Sequence, residues 1–76
     1  MKEVLQLVIE SLVDDKAAMT ITETVGEKSI NYEVRVKETD MGKVIGKQGK
    51  IAKSIRTVLK AIAAREKKRI NIEFVG

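Results

Sequence analysis

Gly46-Lys47-Gln48-Gly49, in the middle of a 76-residue chain, is where the residue types first suggest chemistry. Two glycines stand three apart, with Val44-Ile45 before them and Lys50-Ile51 after, at the point where an amphipathic helix must begin. Glycine lacks a Cβ, so it reaches backbone conformations closed to other residues and lets another molecule approach the main chain closely. The first amides of a helix have no acceptor within it, and the helix dipole favours negative charge there. Phosphate is a natural ligand for such a place, and Lys43, Lys47, Lys50 and Lys53 surround it. The chemistry on offer is anion binding. A turn between two helices also often needs a glycine, so the spacing alone is a weak sign. The Walker phosphate loop is absent, since Lys50 is not followed by Ser or Thr and the glycine spacing differs. The dinucleotide fingerprint is absent too, lacking its third glycine and a strand directly before the loop.

The charge pattern points the same way. Residues 1–40 carry five basic and nine acidic side chains, a net of −4, whereas residues 41–69 carry ten basic and one acidic, a net of +9. Solvated surfaces normally mix signs. A one-sign block that contains the glycine pair implies an anionic partner. Catalysis has little to work with. There is no histidine and no cysteine, so the usual general base, thiolate nucleophile and metal ligands are missing. Ser11, Ser29 and Ser54 have no evident base, and the acidic residues lack metal-ligand spacing. A non-enzymatic protein with no cofactor and no metal is expected. The apolar run Val4–Val13 is broken by Gln6 and Glu10, too polar for a signal peptide and too short for a membrane span. A cytoplasmic location and no membrane partner follow as expectations.

The elements that must position the glycines can be read in turn. Leu5, Val8, Ile9 and Leu12 form the stripe of an amphipathic helix that Asp14-Asp15-Lys16 should end. Met19–Val25 is rich in β-branched residues and reads as a strand. Gly26-Glu27-Lys28 is a turn, and Ile30, Tyr32, Val34 and Val36 then alternate with polar residues as a second strand, paired with the first as a hairpin. Thr39 or Asp40 is placed to cap a short helix over Met41–Ile45. Ile51, Ile55, Val58, Leu59 and Ile62 mark the longest helix, ending near Arg65–Lys68, and Ile70, Ile72 and Phe74 a closing strand. The expected fold is a single α+β domain, residues 1–76, in the order α-β-β-α-α-β. It has two layers, with helices on one face of a three-stranded mixed sheet. The second and third strands are joined through helices, so as neighbours they run parallel.

Val44-Ile45-Gly46-Lys47-Gln48-Gly49, a lysine, and an aliphatic stripe reaching Ile55 resemble the signature of the KH domain. The element order resembles its type II arrangement, and size and organisation are similar to the small stand-alone bacterial KH proteins of the KhpA family. The resemblance covers nearly the whole chain. It implies a single-stranded RNA-binding protein, an RNA chaperone or post-transcriptional regulator, whose GxxG loop clamps the backbone of unpaired nucleotides. On this likeness Gly46, Lys47, Gln48 and Gly49 form the clamp. Val44, Ile45 and Ile51 line or support an apolar groove for the bases, placed between the helix pair and the adjacent strand, with Val34 and Val36 at its edge or in the core. Lys50 and Lys53 meet phosphates, within the lysine set that begins at Lys43. The likeness also implies association with itself or with a second KH-containing protein. Ala52 departs from the bulky aliphatic common at its position and bears on groove shape. Tyr32 and Phe74, the only aromatics, are in phase with buried strand faces, so they read as core rather than as stacking platforms. Two other readings stay open: a helix-turn-helix DNA binder with Arg56 as the guanine reader, and an interaction module whose basic face or sheet edge recruits an acidic protein.

Overall fold

The computed structural model describes residues 1–76. Helix α1 spans Lys2–Leu12 and buries Leu5 and Ile9, with Val8 and Leu12 half-buried beside them. It stops one residue before the aspartates. Val13 turns extended (φ −89°, ψ 151°) and is itself drawn into the core. Asp15 instead caps a single 3-10 turn, its carboxylate accepting from the Ala18 amide at 3.2 Å.

Strands β1 (Thr20–Val25) and β2 (Ser29–Arg35) form the expected antiparallel hairpin, with Val25 opposite Ile30 and Thr20 opposite Arg35. The Gly26 amide closes the turn on the Ser29 carbonyl at 2.7 Å. Strand β3 (Arg69–Val75) lies on the other side of β2 and runs parallel to it, with Ile30 opposite Ile70 and Val34 opposite Phe74. The sheet order β1-β2-β3 leaves β3 as an edge. Alternation does the sorting. Ile30, Tyr32, Val34, Ile70 and Ile72 point to the helices and are buried, while Asn31, Asn71 and Glu73 face out.

Helix α2 spans Met41–Ile45 and helix α3 spans Lys50–Arg65, so the observed order is the expected α-β-β-α-α-β. The buried side of α3 is Ala52, Ile55, Leu59 and Ala63. Val34 and Val36 belong wholly to the core, at 0% and 3% exposure, so the groove-edge position open to them is ruled out. Tyr32 is core as expected, its hydroxyl donating to Glu23 at 2.6 Å. Phe74 is only half-buried, because it lies towards the end of an edge strand, and the Arg56 guanidinium covers its ring at 5.3 Å.

Helix α3 ends without a glycine. Lys67 adopts the left-handed conformation (φ 57°), and the Lys67 and Lys68 amides bond back to the Ala64 and Ala63 carbonyls at 3.1 Å each. This is the Schellman closure, normally given to glycine because a side chain is strained there. No helix is long and apolar enough to cross a membrane.

Candidate nucleic-acid interface

The α2–α3 junction is built on three positive φ angles. Gly46 sits at φ 78°, ψ 174°, a region open essentially to glycine alone. Its amide bonds to Gly42 O at 2.9 Å, and its carbonyl accepts from the Gly49 amide at 3.1 Å. Gln48 (φ 58°) and Gly49 (φ 74°) are both left-handed, after which Lys50 opens α3 at φ −65°. The two glycines serve different ends. A Cβ on Gly46 would lie 2.5 Å from Ile51 Cγ1, so Ile51 packs directly against the glycine backbone. A Cβ on Gly49 would meet nothing within 4 Å. Gly46 is closed on the protein side, and Gly49 is open on the solvent side. Gln48 holds a conformation that strains a residue with a side chain, and strain of this kind gathers at binding loops.

The expected site residues divide by burial. Lys47, Gln48, Lys50 and Lys53 are exposed, and none of the three lysines has an ion pair. Ile45 and Ile51 are half-buried beside the loop, and Val44 is fully buried beneath it. Val44 therefore supports the junction without lining a groove. Ala52 is also buried, at 2% exposure, so the aliphatic surface near the loop comes from Ile51 and Ile45.

Lys43 differs from the other lysines. Its ammonium pairs with Asp14 and lies 3.6 Å from Asp40, and these acids hold its pKa above the usual lysine value, chiefly through the Asp14 bond. The charge expected to face phosphate is committed to the protein. Asp40, at the N-cap position of α2, makes no side-chain bond to its own helix. Its carboxylate accepts from the Asp15 amide at 3.0 Å, which holds its pKa below the usual carboxylate range. The expected cap is replaced by a tie between the α1–β1 connection and the helix that leads into the glycines. Asp40 is 2% exposed, and that bond satisfies it.

A groove of about 360 Å³ runs between α3 and the free edge of β3, lined by Arg56, Lys60, Ile70, Asn71, Ile72 and Glu73 among others. A second of the same size adjoins it, adding Lys68 and Arg69. Arg56 is fixed in place, with Nε and Nη2 donating to the Ile72 carbonyl at 3.4 and 3.3 Å. That anchors it to the strand, away from the projecting face a recognition helix would present to duplex DNA. Nothing in the residue spacing revealed this groove. Arg56 and Lys60 sit i, i+4 on α3 and so share a flank, but which strand they face depends on the parallel pairing that puts β3 at the edge. No group of three or more Asp or Glu side chains is placed to hold a metal ion.

The profile of the KhpA/KhpB KH domain matches residues 2–74. The chain is 51% identical to the RNA-binding protein KhpA of Clostridium acetobutylicum and 49% identical to that of Clostridium perfringens, over 99% of this chain and 100% of each relative. It is 43% identical to the RNA-binding protein KhpA of Aquifex aeolicus, over 99% of this chain and 95% of the relative. No solved structure matches. The α-β-β-α-α-β order, the glycine-bounded junction and a match from Lys2 to Phe74 agree, and the chain belongs to the KhpA/KhpB KH domain family.

Proposed function

We propose that the chain binds single-stranded RNA, gripping the backbone at Gly46–Gly49 and laying bases along the groove between α3 and β3. The reading rests chiefly on the loop, where an open approach at Gly49 sits beside three unpaired, exposed lysines at the start of α3. The relatives named as RNA-binding proteins support it. Lys47, Lys50 and Lys53 meet phosphates, while Ile45 and Ile51 form the apolar shoulder. The role that follows is a cytoplasmic RNA chaperone or post-transcriptional regulator in a bacterium, without catalysis.

The test is a double variant, Lys47→Asp with Gln48→Asp, titrated against a fluorescent single-stranded RNA. Binding should be lost while the circular dichroism spectrum is unchanged. Binding that survives would remove the loop from the site. Tighter binding to duplex DNA than to single-stranded RNA would favour the helix-turn-helix reading instead.

A second copy, or another KH-containing protein, is the fitting protein partner. Val4, Leu7 and Val58 are 40%, 69% and 54% exposed, and Val4 and Val58 flank an apolar cleft between α1 and α3. Two weak clamps joined in this way reinforce each other on one strand. Sedimentation of wild type against Leu7→Ser/Val58→Ser tests it. The variant should be monomeric where the wild type associates.

A further inference from the structure

Between Met41 and Gly76 the chain has only two acidic residues, Glu66 and Glu73. Glu66 closes the end of α3, but Glu73 lines the α3–β3 groove together with Arg56 and Lys60. It is exposed and forms neither an ion pair nor a hydrogen bond with either cation. A free carboxylate in a groove for a polyanion opposes binding through simple repulsion. Its compatibility with that groove requires a compensating contact, and a base edge can supply one.

The hydrogen-bonding groups of the groove identify which base. The Ile72 carbonyl faces the free edge of β3, where it would accept the exocyclic amine of adenine or cytosine, but Arg56 already occupies it. Two of the five guanidinium N–H donors are used there, leaving three for acceptors. Lys60 adds further donors to the same wall. Across from them stand the free Glu73 carboxylate and the Asn71–Asn31 pair, in which one Asn71 amide N–H donates to Asn31 Oδ1 at 2.9 Å, so Glu73 is the one anionic acceptor of the groove. A carboxylate also accepts the single exocyclic amine of cytosine. Guanine fits better, because its adjacent N1–H and N2–H donors engage both carboxylate oxygens at once while O6 and N7 accept from the facing cations.

We propose, building on the RNA-binding reading above, that this groove selects guanine. Glu73 accepts N1–H and N2–H, and Arg56 and Lys60 donate to O6 and N7. Glu73 is thus a specificity residue that trades general affinity for base choice.

The experiment uses short uridine RNA oligomers with one central guanine or one central adenine, titrated by fluorescence anisotropy against wild type and Glu73→Gln at fixed salt. The wild type should prefer the guanine oligomer about tenfold, as a good bidentate base contact does. Glu73→Gln should erase that preference by weakening the guanine complex, while the adenine complex holds or tightens because a repelling charge is gone. If Glu73→Gln tightens both oligomers equally, or the wild type shows no preference, Glu73 is only a surface charge and the inference falls. If the wild type binds neither oligomer, the RNA-binding reading itself fails, a different and distinguishable result.

Discussion

Exchanging the two glycines separately tests whether one holds the fold and the other admits the ligand. At Gly46 an alanine must adopt φ 78°, ψ 174°, which costs about 1–3 kcal/mol for a residue with a Cβ. Its Cβ would also stand 2.5–2.9 Å from three atoms of Ile51, and overpacking of this kind costs about 1–3 kcal/mol more. A domain of this size has a stability of roughly 4–11 kcal/mol. A loss of about 3 kcal/mol therefore lowers the melting temperature by about 12–24 °C. At Gly49 an asparagine meets open space, and asparagine visits the left-handed region readily, so Gly49→Asn should melt within a few degrees of wild type. Its side chain fills the gap where the RNA backbone is proposed to lie, and a tenfold loss of affinity, about 1.4 kcal/mol, is expected. Thermal melts by circular dichroism and RNA titrations by fluorescence anisotropy read the two effects independently. The reasoning is refuted if Gly46→Ala melts with the wild type, or if Gly49→Asn binds RNA at full strength.

Four further predictions concern charge and capping. Lys50→Ala should reduce the slope of log affinity against log salt by about 0.7, as loss of one single-strand phosphate contact requires. Lys43→Met should leave that slope unchanged while lowering stability, because Lys43 is held by Asp14 and Asp40. Lys67→Gly should raise stability by about 0.5–1 kcal/mol by relieving a left-handed lysine at the helix end, read as a higher denaturant midpoint. The folded-state pKa of Asp40 is depressed by the Asp15 amide, so its contribution is present above the ordinary carboxylate range and lost as pH falls through the folded value. Asp40→Asn should flatten the acid limb of a stability–pH curve. An unchanged limb would assign acid sensitivity to other carboxylates.

Local periodicity carried most of the fold. The alternation of Ile30, Tyr32 and Val34 and the stripe of Ile55 and Leu59 are direct readouts of a strand face and a helix face, and both lie where expected. Contacts between distant residues were not legible. Asp40 looks like a helix cap in sequence, yet its carboxylate is taken by an amide twenty-five residues earlier. Lys43 looks like a free cation until Asp14 is brought to it by the fold. Val34 and Val36 have the same residue type as a groove wall, and only the coverage of the sheet assigns them to the core. The glycine pair was recognisable from spacing, but the division of labour between Gly46 and Gly49 depends on where the Ile51 side chain goes. The likeness implied an apolar groove between the helix pair and the neighbouring strand, but the groove found there is walled mostly by polar side chains such as Arg56, Lys60 and Glu73, from segments whose adjacency is set by sheet order.

That sheet order also shapes how the molecule assembles. The β1–β2 ladder joins near neighbours in sequence, whereas every rung of the β2–β3 ladder spans forty residues, as in Ile30 with Ile70. High contact order slows folding, because a long loop must close before its contacts reward it. The hairpin is therefore expected to form early and β3 to dock late. Until β3 docks, Ile30, Tyr32 and Val34 border an unpaired strand edge open to pairing with another chain. The proposed guanine groove has no second wall in that interval, so competence to read a base arrives with the last rung of the slow ladder.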